Sequence, residues 1–111
     1  MERESFYITT PLYYVNSAPH IGHSYTEIAC DVIARYMRMK GKEVLFLTGT
    51  DEHGQKVEEA AKKLGQPTLD FIDSVVPQFE NLWKRLDISN DDFIRTTEKR
   101  HTDTVEKVLQ V

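Results

Sequence analysis

An α/β fold built on a parallel sheet is predicted by three observations in the first half of this sequence. A run rich in β-branched and aromatic residues, Ser5–Thr10 (SFYITT), is followed by a long helical pattern and then a second extended run, Lys42–Thr48 (KEVLFLT). Strand, helix, strand in that order is a βαβ unit, which joins parallel strands and almost always crosses over right-handed. The centre of the second run, Val44-Leu45-Phe46-Leu47, is apolar on both faces, as in strands covered on both sides.

Each element has its own signal. Ser5–Thr10 has the composition of a short strand. Pro11–Pro19 (PLYYVNSAP) reads as a loop, with Pro at each end and Asn-Ser between. From Ile21 the apolar residues Tyr25, Ile28, Ala29, Val32, Ile33, Tyr36 and Met37 recur at helical spacing. Arg38 and Lys40 fall in the last turn, with Gly41 as the expected stop. After the second strand, Gly49-Thr50-Asp51-Glu52-His53-Gly54 reads as a loop. A short helix is predicted over Gln55–Leu64, ended by Gly65. Thr68 is the expected N-cap of a helix reaching Leu86, with an apolar stripe from Leu69 through Trp83 and a kink or break at Pro77. Phe93–Thr96 is expected to be extended, and a last helical pattern from Glu98 still runs at Val111 with no stop signal.

Composition narrows the function. A chain of 111 residues has room for one modest core. With 14 basic against 18 acidic residues and a net charge of −4, it has no overall basic field for nucleic acid. Lone Cys30 has no disulfide partner and is expected to be a buried, small apolar residue in a reducing compartment. The charged start, Met1-Glu2-Arg3-Glu4, lacks an apolar leader, and no apolar stretch is long enough to span a bilayer. A cytoplasmic location with no membrane partner is expected.

The most informative residues are His20-Ile21-Gly22-His23, at a junction between strand-like and helical sequence. Two imidazoles at i and i+3 share one face of the first turn. That turn should also offer unpaired backbone N–H groups and the positive end of the helix dipole, a combination suited to phosphate. Gly22 removes the side chain that would keep a flat ring off the backbone. A solvated helix start is the alternative. Leu12, Tyr13 and Tyr14 could line a site or simply pack on the core. Asp51, Glu52 and His53 could bind a ligand at the carboxyl end of a strand, where open α/β sheets bind theirs, or Asp51 could cap the next helix. No spacing of His20, His23 and His53 matches a zinc arrangement, and no metal site is expected. Gly-Lys-Ser/Thr and Gly-x-Gly-x-x-Gly signatures do not occur.

Four stretches go further. Tyr7–His23 (YITTPLYYVNSAPHIGH) closely resembles the amino-terminal signature of methionyl-tRNA synthetases. Phe46–Lys56 (FLTGTDEHGQK) resembles a second signature of that family at the right distance, as do Leu82–Leu86 (LWKRL) and Asp92–Thr97 (DFIRTT). His-Ile-Gly-His alone is shared by all class I synthetases and several nucleotidyltransferases; Gly-Thr-Asp-Glu-His-Gly is far more specific.

The resemblance implies a Rossmann-like parallel sheet of the class I type, with residues 1–95 as the first half of the nucleotide-binding fold and 96–111 as the start of an inserted connective domain. It implies ATP-dependent activation of methionine and transfer to tRNA(Met), with ATP and Mg2+ as a substrate complex. His20 and His23 would be catalytic, acting on the phosphates, and Asn16 and Gly22 would join them in binding ATP. Leu12, through its carbonyl, and Asp51 would hold the methionine ammonium, and Tyr14 would line the side-chain pocket. The family's Lys-Met-Ser-Lys-Ser loop does not occur here, so the chain is expected to be part of a longer enzyme, inactive alone and partnered by the remaining synthetase. Two alternatives stay open: another adenylyltransferase with the same histidine motif, or a non-catalytic nucleotide-binding module that complements a second chain.

Overall fold

The structure, a computed structural model, describes residues 2–111; Met1, the first residue of the charged start, lies outside the described residues. Among the described residues four strands and four helices follow in the order β1 (Ser5–Thr9), β2 (Tyr13–Tyr14), α1 (Ile21–Met39), β3 (Glu43–Asp51), α2 (Gln55–Lys63), α3 (Thr68–Arg85), β4 (Asp92–Arg95) and α4 (Lys99–Leu109). Every strand pairs with β3, and every pairing is parallel. Leu47 pairs with both Thr9 and Asp92, and Thr50 with both Tyr13 and Arg95. It follows that β1 and β2 occupy successive stretches of one edge of β3, and β4 occupies the other.

β3 is longer than its apolar centre predicts. Gly49, Thr50 and Asp51 belong to the strand, not to a loop. Their polar side chains hide the strand from a hydropathy reading, but β2 and β4 supply backbone partners on both edges. A Cβ built on Gly49 would lie 2.0 Å from the Ile94 carbonyl oxygen, so only glycine lets β3 and β4 close here. Within the expected loop 11–19, Tyr13 and Tyr14 form the two-residue strand β2.

The core lies between β2, α2 and α3. Tyr13, Val15, Val57, Ala61, Phe71, Ile72, Val75, Val76, Phe79 and Trp83 form one buried cluster. α3 runs unbroken through Pro77, and its N-cap is Pro67 rather than Thr68, which is already helical. The fixed φ of proline suits a helix start, although it provides no side-chain cap. α4 ends at Leu109, short of Val111, and buries no residue.

α1 turns its face opposite to expectation. Its buried residues are Glu27, Asp31 and Ala34, whereas Ile21 (88% exposed), Tyr25 (78%), Val32 and Tyr36 are open to solvent. Cys30 is half-buried, not enclosed. Polar contacts explain the orientation. Asp31 Oδ1 accepts from the Ser89 amide (2.8 Å) and hydroxyl (2.6 Å), and Arg38 donates to Ser89 and to Asp91. Asp91 in turn exchanges hydrogen bonds with the Phe46 backbone on β3. The helix is thereby tied to the sheet through the loop before β4. No helix of the described residues is long and apolar enough to cross a membrane.

Candidate active site at the carboxyl edge of the sheet

His20 is the N-cap of α1, with extended φ and ψ of −127° and 177°. Its Nδ1 accepts from the Gly22 amide at 3.0 Å, and its own amide donates to His23 Nδ1 at 3.1 Å. The two histidines thus form a reciprocal capping box, with rings stacked 3.8 Å apart. A neutral imidazole that accepts at Nδ1 carries its proton on Nε2. Both rings therefore keep an Nε2–H donor for an anion. Burial, and then the nearby His20, lower the His23 pKa, so its ring is neutral at neutral pH.

The expectation of bare backbone donors holds only for the Ile21 amide, which has no partner among the described residues. The Gly22 amide is capped by His20, and the His23 amide donates to the His20 carbonyl at 3.0 Å. Imidazole edges, that one amide and the helix dipole are what the turn presents; its residues, Ile21-Gly22-His23-Ser24, include no acid. Gly22 does admit a flat ring, and that ring is His20: a Cβ here would meet His20 Cε1 at 2.8 Å.

Behind the pair lies a buried polar group absent from the candidates read in the sequence. Tyr13 meets the His23 ring edge-on at 5.1 Å and stacks against Phe79. Its hydroxyl donates to Glu27 Oε2 at 3.4 Å, while Glu27 Oε1 is enclosed without a partner among the described residues. Burial pushes the Glu27 carboxyl up to about 7, against the opposing pull of the nearby Thr48 and Tyr13 hydroxyls. The signal for Glu27 was its spacing: His20, His23, Glu27, Asp31 and Ala34 share one helical stripe, masked by the more apolar stripe beside it.

Tyr14 pairs with Asp51 across β2 and β3, and both line one cavity of about 360 Å³ with His53, Gly54, Gln55, Lys56 and Val57. Half-buried Leu12 immediately precedes β2, at the same sheet edge. Asn16 is set apart, in a neighbouring cavity of about 500 Å³ with Glu59, Lys63 and Phe71; Lys56 lines both. Asp51 does not cap α2, whose N-cap is Gly54 with no side-chain bond. His53 is directed to the Thr96 carbonyl, 3.3 Å from its Nε2, and not to the histidine pair.

A family model described as tRNA synthetases class I (M) matches residues 6–111. The chain belongs to this class I tRNA synthetase family. It is 52% identical to the methionine–tRNA ligase of Listeria monocytogenes serovar 1/2a and 53% identical to that of Bacillus subtilis strain 168, each over 98% of this chain and 16% of the relative. The chain thus spans about a sixth of the length of these relatives. Among solved structures, Mycobacterium tuberculosis methionyl-tRNA synthetase in complex with methionyl-adenylate superposes with a TM-score of 0.94 at 43% identity, over 96% of this chain and 21% of that one. The α/β chain with its parallel sheet is therefore the Rossmann-like fold of the class I tRNA synthetases.

Proposed function

We propose that this chain forms the amino-acid-activating part of a cytoplasmic methionine–tRNA ligase, which makes methionyl-adenylate from methionine and ATP with Mg2+ and then charges tRNA(Met). The observation that carries this reading is the capped histidine pair. Two Nε2–H donors stand at a helix start that the chain reaches from the carboxyl end of β2, and the cavity containing Asp51 lies at the carboxyl end of β3. The solved relative is described with methionyl-adenylate, the product of that first step.

In this reading an oxygen of the methionine carboxylate attacks the α-phosphorus of ATP and pyrophosphate leaves. His20 and His23 hold the phosphates and stabilise charge building on the α-phosphate, so catalysis is electrostatic and positional. Asn16 and Gly22 also bind ATP in this reading, Asn16 from the neighbouring cavity. The Asp51 carboxylate and the Leu12 carbonyl receive the methionine ammonium through charge-assisted hydrogen bonds. Tyr14 sets an aromatic ring against the thioether. Residues 1–95 contribute the first half of the nucleotide-binding fold, and 96–111 lead into a connective domain. The remaining synthetase supplies the lysine-rich loop and the tRNA-binding surfaces.

The test is methionine-dependent ATP–pyrophosphate exchange by the full-length enzyme carrying this segment. His20→Ala and His23→Ala should each slow exchange by roughly 10²–10³, the scale for losing one preorganised donor. Asp51→Ala should raise the methionine KM as well, with Asp51→Asn recovering part of the loss. Wild-type kinetics in His20→Ala, or an Asp51→Ala defect confined to ATP, would sink the reading.

A further inference from the structure

Asp51 is held by very little of its own. Its Oδ1 accepts from the His53 amide at a long 3.5 Å, and among the described residues no cation lies within ion-pair distance of it. A carboxylate intended for a ligand's ammonium has to be left unpaired in this way, so its direction must be fixed by its neighbours. Those neighbours are tightly fixed. The Glu52 side chain is fully enclosed, and Arg95 at the end of β4 forks onto it, Nε reaching Oε2 at 2.9 Å and Nη2 reaching Oε1 at 2.8 Å. Thr50 donates to Oε2 at 2.7 Å and Thr97 to Oε1 at 2.9 Å. The Glu52 amide donates to the Thr96 hydroxyl at 2.8 Å, and Arg95 is braced by Asp73 of α3 at 2.7 Å.

We propose that Arg95 and Glu52 are positioning residues for the amino-acid substrate: their fork clamps the end of β3 and so aims the Asp51 carboxylate into the cavity it shares with Tyr14. Alternation along an extended chain supports this. Thr50 and Glu52 are bonded to each other on the face that carries the Arg95 side chain, and Asp51 between them lines the cavity with Tyr14. A buried ion pair adds little net stability compared with an apolar pair, but a planar bidentate fork fixes geometry in a way a point charge cannot. Loosening it should therefore move Asp51 more than it moves the histidine pair, which is held by its own capping box.

The inference rests on the methionine-activation reading, and the same exchange assay separates the two. Wild-type full-length enzyme without methionine-dependent exchange overturns that reading and the inference with it. With wild-type exchange in hand, Arg95→Lys keeps the charge but loses the fork. It should raise the methionine KM about tenfold or more, a modest value for a misplaced binding group, while the ATP KM stays within about twofold. Thr97→Val, which removes one bond to Glu52 and leaves the ion pair, should shift the same constant less and keeps the test open if Arg95→Lys folds poorly. In an Asp51→Ala background the Arg95→Lys effect on the methionine KM should largely vanish, because the position of an absent side chain no longer matters. Equal rises in both KM values, an unchanged methionine KM in both variants, or fully multiplicative effects with Asp51→Ala would each overturn the inference alone.

Discussion

Two turns into α1, Glu27 holds a carboxyl where solvent does not reach, and its protonation is linked to folding. Its pKa is raised to about 7 in the fold, above the unfolded value, so the folded state holds the proton more tightly. Stability from this group is full below the unfolded pKa, near 4.5, and is lost as pH rises through about 7. Glu27→Gln keeps the shape and removes the titration. Its stability should match wild type near pH 4.5 and exceed it at pH 8 by on the order of 1–3 kcal/mol, since each pKa unit is about 1.4 kcal/mol. Denaturant unfolding of both proteins at the two pH values measures this, and a difference independent of pH would refute it. Residue identities at the site were partly legible. The histidines and Asp51 stand beside strand ends in sequence, whereas Glu27 and Arg95 acquire meaning only through Tyr13 and Glu52, partners distant along the chain.

At the scale of elements, the start of α1 depends on Gly22 for space. Alanine there gains helix propensity worth roughly 0.5–1 kcal/mol, yet its Cβ would displace the His20 ring and with it a cap of about the same worth. Gly22→Ala in the full-length enzyme should therefore melt within a few degrees of wild type while losing much of its exchange activity, as His20 is pushed out of place. A large fall in melting temperature, or full activity, would show that the ring is not displaced. The same elements mark how far local sequence reaches. β1, α2 and β4 were legible from composition and breakers. β3 was read short, because Thr48, Gly49 and Thr50 are buried by pairing on both edges and not by hydropathy. β2 was invisible, since two residues have no periodicity. The side of α1 that faces the sheet was chosen by Asp31 and Ser89, a contact spanning about half of the chain.

For the whole molecule, the apolar stripe of α1 and outward residues such as Tyr7 and Leu45 leave much hydrophobic surface in water. The isolated 111-residue chain should self-associate and bind a hydrophobic dye. Without a lysine-rich loop it should also support no methionine-dependent exchange. Sedimentation, dye fluorescence and exchange by the purified chain check these points. A monodisperse monomer that ignores the dye would show that the exposed stripe is no liability, and robust exchange would relocate the chemistry. The pairing of three strands to β3 alone also bears on how such a sequence can vary. A residue inserted or deleted within Glu43–Asp51 would shift every later pairing by one place and reverse which face Thr50 and Asp51 address. The same change between α2 and α3, at Leu64–Pro67, moves only an exposed connection. Length variation in functional homologues should accordingly collect in that connection and be excluded from β3, whatever freedom individual side chains have there.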